Sequence, residues 1–104
     1  MSNAVYYVSY KLKRSASVPD FLLAAEKLNN EEISKKRGYI SWKQLYDGKT
    51  WADICTFETM DDLNEFLAAS RKPSKLAKEF YSFMLKNPFC FKTHYFTVEK
   101  SHGV

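Results

Sequence analysis

A chain of 104 residues with 45% hydrophobic and 27% charged side chains has the length of one domain and a globular, not a disordered, composition. Its net charge of +4 suits an anionic ligand but is too small to imply nucleic acid. The two cysteines, Cys55 and Cys90, show neither CxxC nor CxxH spacing, so they signal neither a zinc site nor a secreted disulfide framework.

The first predicted strand is Val5 to Lys13 (VYYVSYKLK), in which Tyr6, Val8, Tyr10 and Leu12 share one face. Ser17 and Asp20 then make a capping-box-like pair, with Pro19 in the first turn of a helix. Its expected buried stripe is Leu22, Ala25, Asn29 and Ile33, flanked by Phe21 and Leu28. Lys35, Lys36 and Arg37 suit a helix C-terminus, and Gly38 a left-handed cap. Tyr39 to Tyr46 and Thr50 to Phe57 are the second and third strands, joined through the Asp47-Gly48 hairpin signal.

Thr59 caps a second helix, with Asp61 and Asp62 in its first turn and Leu63, Phe66 and Leu67 on its buried side. Pro73 interrupts that helix and Ser74 restarts it, after which Leu76, Ala77, Phe80, Phe83 and Met84 continue an apolar face. Asn87-Pro88 ends it, and Phe89 to Glu99 reads as the fourth strand. No apolar run approaches the ~20 residues of a membrane span, and strand-like sequence from Val5 leaves no secretory leader. A cytoplasmic protein with no membrane partner is expected.

This order of elements predicts an α+β, ferredoxin-like βαββαβ domain over residues 1–104, with an ordered core of about 5–99. Both helices would cover one face of a four-stranded antiparallel sheet whose central strands are the first and third. Cys55 and Cys90 would then lie about 10 Å apart, two strand spacings, too far for a disulfide. The other sheet face carries apolar residues in either phase of the strands. Such a face marks an interaction site, and a second copy in a two-fold homodimer is its simplest cover.

The opening VYYVSYKLK, the stretch GYISWKQLYDGKTWADICTFETMDDLNEF and the broken second helix leading into FKTHYFTVEK resemble the dimeric α+β barrel superfamily. The likeness is strongest to its antibiotic-biosynthesis-monooxygenase-like domains. It covers most of the chain and rests on patterns of element and hydrophobicity, so it speaks for fold more than for chemistry. It implies a cleft between sheet and helices where an aromatic, polyketide-like substrate is oxidised without a cofactor. Haem-degrading relatives use a Trp at the end of the third strand and a His in the second helix. Here the first position is Phe57, and no histidine lies between Thr59 and Pro88, which speaks against haem chemistry.

Two residues are candidates for catalysis. His94, the histidine inside a predicted element, could act as a general base or bind an acidic ligand, since histidine as a residue type serves both roles; its plainer reading is a hydrogen-bonded or partly exposed strand histidine. Asp53 sits mid-strand, where Asp is disfavoured, so its charge must be solvated, paired or functional. An ion pair with a Lys or Arg on a neighbouring strand, or a contact with the partner subunit, is the plainer alternative there. Aromatic residues are 16% of the chain, and among them Trp42, Trp51, Tyr6 and Tyr10 are candidates to bind a flat organic ligand; each could equally fill the core or the dimer interface. Tyr46 is a further hydroxyl of this kind. Arg71, Lys72, Lys75 and Lys78 cluster around the helix break, where they could attract an anion or simply form a solvated face.

No metal-ligand spacing, phosphate loop or nucleophile motif is present. RNA binding through an RRM requires an aromatic where Asp53 stands. Two functions remain: a cofactor-independent, monooxygenase-like enzyme, or a non-enzymatic dimeric barrel that binds a small molecule or serves a structural or stress-related role.

Overall fold

The computed structural model describes residues 2–86 and 91–103. Strand β1 is Ala4–Tyr10, helix α1 Val18–Glu31, followed by a 3-10 turn at Ile33–Lys35. The hairpin strands are β2, Tyr39–Tyr46, and β3, Trp51–Phe57. Two helices, α2 (Met60–Ala69) and α3 (Lys75–Tyr81), precede β4, Lys92–Thr97. The strands form one antiparallel sheet in the order β2-β3-β1-β4. This is the ferredoxin-like α+β arrangement expected, with β1 and β3 central.

Local chemistry accounts for the boundaries. The hydroxyls of Ser17, Thr59 and Ser74 accept from the amides of Asp20, Asp62 and Ala77, capping α1, α2 and α3. Each such cap stabilises its helix by about 1 kcal/mol. Asp47 Oδ1 accepts from the amides of Lys49 and Thr50 at 2.9 and 2.7 Å, and Gly48 takes φ +94°, closing the hairpin.

Helix α1 ends earlier than its basic run suggested, at Glu31, so Lys35–Arg37 belong to the turn that follows. Gly38 is left-handed at φ +79°, but in the approach to β2 and not as the α1 cap. A Cβ there would also run into the Asp62 carboxyl. That carboxyl accepts from Arg37 Nε at 2.8 Å, and the guanidinium holds it below the usual carboxylate range.

The core lies between the helices and one sheet face. Phe21 is fully buried, its ring edge-on to Tyr10 and Trp51 and stacked on Phe80 at 5.2 Å. Truncating such a ring to Ala costs about 3–5 kcal/mol. A second cluster joins Ala4, Cys55, Phe57 and Leu63. Helix α1 is rotated from the expected stripe: Phe21, Ala24, Ala25 and Leu28 are buried, while Leu22 is 41% exposed. Phe21, Ala25 and Leu28 join one core cluster with Tyr10 of β1 and Trp51 of β3, which turns Leu22 and Leu23 outward. Asn29, also in that stripe, accepts from the Tyr39 hydroxyl at 2.9 Å.

Among the described residues, no helix covers the opposite sheet face. Register and strand alternation place Val5, Tyr7, Ile54, Leu45, His94 and Phe96 on it. Leu45 and Phe96 are 45% and 53% exposed, and every residue of β4 is exposed. The fourth strand starts later than expected, at Lys92. Cys55 is a buried free thiol; Cys90, Phe89 and the Asn87-Pro88 stop lie outside the described residues.

Candidate functional site

The alternation of β1 and β3 sends Tyr6, Val8 and Tyr10, and Asp53 and Cys55, toward the helices. Between these strands and the helices is a cleft of about 110 Å³. Trp42 of β2 forms one wall, and Leu28, Ile33, Phe66, Phe80 and Tyr81 form the roof. A larger outer cavity of about 350 Å³ shares Leu28, Ile33, Phe66 and Tyr81 with it. The two therefore adjoin, and together they reach the roughly 300–1,000 Å³ of small-molecule sites. The outer cavity runs under the α2–α3 break, past Lys35, Lys36, Lys72 and Ser74. Ser74 Oγ donates to Glu32 Oε2 at 2.6 Å and so ties that break to the end of α1.

Asp53 is the chemical centre of the cleft. It is 5% exposed, and its Oδ1 accepts from the Tyr10 hydroxyl at 2.7 Å. Among the described residues no lysine or arginine pairs with it, so the plainer sequence reading, an ion pair, is not realised. An uncompensated buried carboxylate is costly, so burial disfavours the ionised form. Burial raises its pKa from 3.8 to about 7, against the opposing pull of the Tyr10 hydroxyl and the Trp42 indole N–H. Such a carboxyl exchanges a proton near neutral pH, which suits a general acid or base.

Its neighbours are protonated. Burial, followed by the Asp53 charge, pushes the Tyr10 hydroxyl far up. Tyr6 is raised to about 12, chiefly by burial and then by Tyr81 and Tyr95. The Cys55 thiol is likewise pushed up to about 12 by burial and Asp53, so it is not a ready nucleophile. Tyr81, also raised by burial, stands partly exposed at the mouth.

Two donors near the carboxyl are unusual. Among the described residues, Trp42 Nε1 and Gln44 Nε2 are buried and meet no acceptor at full hydrogen-bond geometry, although the Trp42 N–H lies near enough to Asp53 to favour its ionised form. The register pairs Gln44 with Asp53, and Trp42 with Cys55.

Of the residues singled out from sequence, Asp53, Tyr6, Tyr10 and Trp42 converge on this cleft. Trp51 does not line it; it is buried in the core, edge-on to Phe21 and stacked with Tyr46 at 4.6 Å. His94 is not brought to Asp53. It pairs with Tyr7 on β1, whose side chain alternates to the uncovered face, and its ring lies against Tyr7 and stacks on Phe96. Of the basic cluster, Lys72 lines the outer cavity, and Arg71, Lys75 and Lys78 do not. Sequence reading passed over Tyr81, Phe66 as a lining residue, and Cys55 as a cleft group. Tyr81 had a usable signal: it stands four residues after Ala77, on the face α3 turns to the cleft.

No protein-family model matches the chain, and no curated protein is similar to it in sequence. Its structure does have relatives. A cofactor-independent oxygenase, SnoaB from Streptomyces nogalater, superposes with a TM-score of 0.72 at 10% identity, over 97% of each chain. The ActVA-Orf6 monooxygenase of Streptomyces coelicolor, in complex with nanaomycin D, gives 0.63 at 14% identity over 99% of this chain and 93% of that one. A hydroxynitrile lyase from Passiflora edulis also gives 0.63, at 18% identity over 97% of both chains. The chain thus has the fold of the antibiotic-biosynthesis-monooxygenase-like α+β barrel domains. That fold carries both oxygenase and lyase activities, so the reaction must be argued from the residues of the site.

Proposed function

We propose that the chain binds a small hydroxylated aromatic molecule in the cleft between sheet and helices and oxidises it with dioxygen as a cofactor-independent, monooxygenase-like enzyme. Asp53 is the proton acceptor. The observation that carries this reading is a carboxyl buried, among the described residues, without a cationic partner, poised near neutrality and walled by aromatic rings. Without a cofactor, the substrate itself must supply the electrons, and an aromatic ring does so far better once an attached hydroxyl has lost its proton. Asp53 takes that proton. Oxidation of a ring methylene to a carbonyl by one dioxygen then balances with release of one water. Tyr10 holds the carboxyl in place, and Tyr6, Trp42 and Tyr81 hold the ring. His94 takes no part in this cleft within one protomer.

The same reading makes the chain a homodimer through its uncovered sheet face. Leu45, Ile54, Tyr7 and Phe96 would be its apolar contacts, with His94 among them.

Oxygen uptake with a panel of phenols, naphthols and anthrones tests the proposal. Uptake should appear with at least one of them and rise as pH passes through about 7, as Asp53 ionises. Asp53→Asn should lower it ~10²–10⁴-fold while quenching of tryptophan fluorescence by the same compounds persists. Binding without turnover in the unaltered protein would favour the alternative, a non-enzymatic small-molecule-binding barrel. Turnover without oxygen uptake would point to acid–base lyase chemistry. Unchanged turnover in Asp53→Asn would remove Asp53 from the mechanism.

A further inference from the structure

The outer cavity under the α2–α3 break takes no part in the proton transfer proposed above, yet it is the larger space, about 350 Å³ against about 110 Å³ for the inner cleft. The inner volume alone falls below the roughly 300–1,000 Å³ of small-molecule sites, so a ligand that reaches Asp53 extends into the outer cavity. The two spaces differ in charge. Leu28, Ile33, Phe66 and Ala77 give the outer cavity an apolar side, and three exposed lysines line it as well: Lys35 and Lys36 from the turn after α1, and Lys72 from the helix break. Among the described residues none of these lysines is in an ion pair, since both ion pairs belong to Arg37. Glu31 and Glu32 line the same cavity, and Glu32 is held by the Ser74 hydroxyl. The inner cleft has the reverse character: the Asp53 carboxyl lines it and, among the described residues, no cation does.

We infer that the outer cavity is a carboxylate subsite, in which Lys35, Lys36 and Lys72 receive an acid group carried on a side arm of the ligand while its ring enters the inner cleft. This rests on the function proposed above and narrows its substrate class to aromatic compounds with an acidic arm. A carboxylate placed in the inner cleft would shed its water beside a buried carboxyl with no cation to meet it, which is costly. In the outer cavity it keeps part of its hydration and faces ammonium groups that no protein carboxylate pairs. The charge difference between the two spaces therefore orients the ligand, ring inward and acid outward. Lysine stems are long and flexible, so the subsite tolerates arms of different length. Each exposed contact is weak and screened by salt, and the preference comes from the three together.

The test compares 2-naphthylacetic acid with its neutral isostere, 2-naphthylacetamide, by titration calorimetry at pH 7 and low ionic strength. The unaltered protein should bind the acid ~10-fold more tightly than the amide, and added salt should shrink that preference. Replacing Lys35, Lys36 and Lys72 together by Gln touches only exposed side chains. It should abolish the preference and change amide binding by less than about twofold. Replacing Arg71, Lys75 and Lys78 together by Gln removes the same charge from exposed residues that do not line the cavity, and should leave the preference in place. Equal binding of acid and amide by the unaltered protein, or equal loss of acid binding in the two triple variants, would overturn the subsite and leave the aromatic cleft standing. Binding of neither compound would overturn both. A preference for the acid that follows the cavity lysines, in a protein that takes up no oxygen with any phenol, would support the subsite and remove the oxidation alone.

Discussion

Replacing Asp53 by Asn should stabilise the protein, and by an amount that depends on pH in a defined way. The folded carboxyl titrates at about 7, against 3.8 for the ordinary group. Below pH 4 both folded and unfolded chains hold the proton, and the group costs nothing. Between pH 4 and 7 the unfolded chain releases its proton while the folded one keeps it, so stability falls as pH rises. Above pH 7 the loss is complete. Three pKa units at ~1.4 kcal/mol each give a loss of about 4 kcal/mol, a large share of the ~5–15 kcal/mol that holds a domain of this size together. Asparagine is nearly isosteric, still accepts from Tyr10 and carries no charge. The assay is urea unfolding of both proteins at fixed concentration from pH 4 to pH 8. The stability of Asp53→Asn minus that of the parent should be constant near pH 4, climb by about 4 kcal/mol and level off above pH 7, a midpoint shift on the order of 2 M urea at pH 8. A difference that stays flat across this range, or falls with pH, would refute the claim that the carboxyl is buried at a cost.

Three further outcomes follow from the same geometry. Tyr10→Phe removes a hydroxyl that favours the ionised carboxyl, so the rising limb of the pH–rate profile should move up by about one unit; no movement would show that the 2.7 Å hydrogen bond is absent in solution. Ser74→Ala loses both the α3 cap and the tether to Glu32, and should cost about 1–2 kcal/mol by urea unfolding, with Glu32→Gln costing less because the cap survives. Light scattering should find the chain at twice its 12.2 kDa mass, and Leu45→Lys with Phe96→Lys should return it to a monomer whose cleft ligands still quench tryptophan fluorescence.

The elements of the fold were legible where the signal is local. A Ser or Thr three residues before an orphan amide, Asp-Gly between two strands, and Pro followed by Ser within a helical pattern each specify one backbone event, and each occurs where it was read. The phase of elements was harder to read. In α1 the run Phe21-Leu22-Leu23-Ala24-Ala25 is apolar all round, so periodicity does not choose its buried side; the rings of Tyr10, Trp51 and Phe80 do. In β4 aromatics fall on both faces, so nothing in that strand alone says that His94 turns away from the helices while Tyr95 faces Tyr6 at 5.6 Å. Asp53 could be found because a carboxylate amid Trp, Ala and Ile breaks the chemistry of its own strand. Helical spacing could place Tyr81 on a face but not in the cleft, since an aromatic ring fits a core, an interface or a cleft equally well until its neighbours are known.

The break at Pro73 has a consequence for the size of what can enter. A continuous helix from Met60 to Tyr81 would run ~33 Å, longer than the two shorter dimensions of the protein, 27 and 26 Å. Breaking it lets α2 lie along β1 and β3 while α3 turns back onto α1, which brings Phe80 and Tyr81 over the sheet. The break therefore helps to set the aperture of the cleft, because it positions the side chains that roof it. Lengthening or shortening the segment between Ala69 and Lys75 would widen or narrow the opening while leaving the sheet, Asp53 and its hydrogen bond to Tyr10 in place. Chains of this fold can thus diverge in ligand size through one short loop, independently of the residues that perform the chemistry.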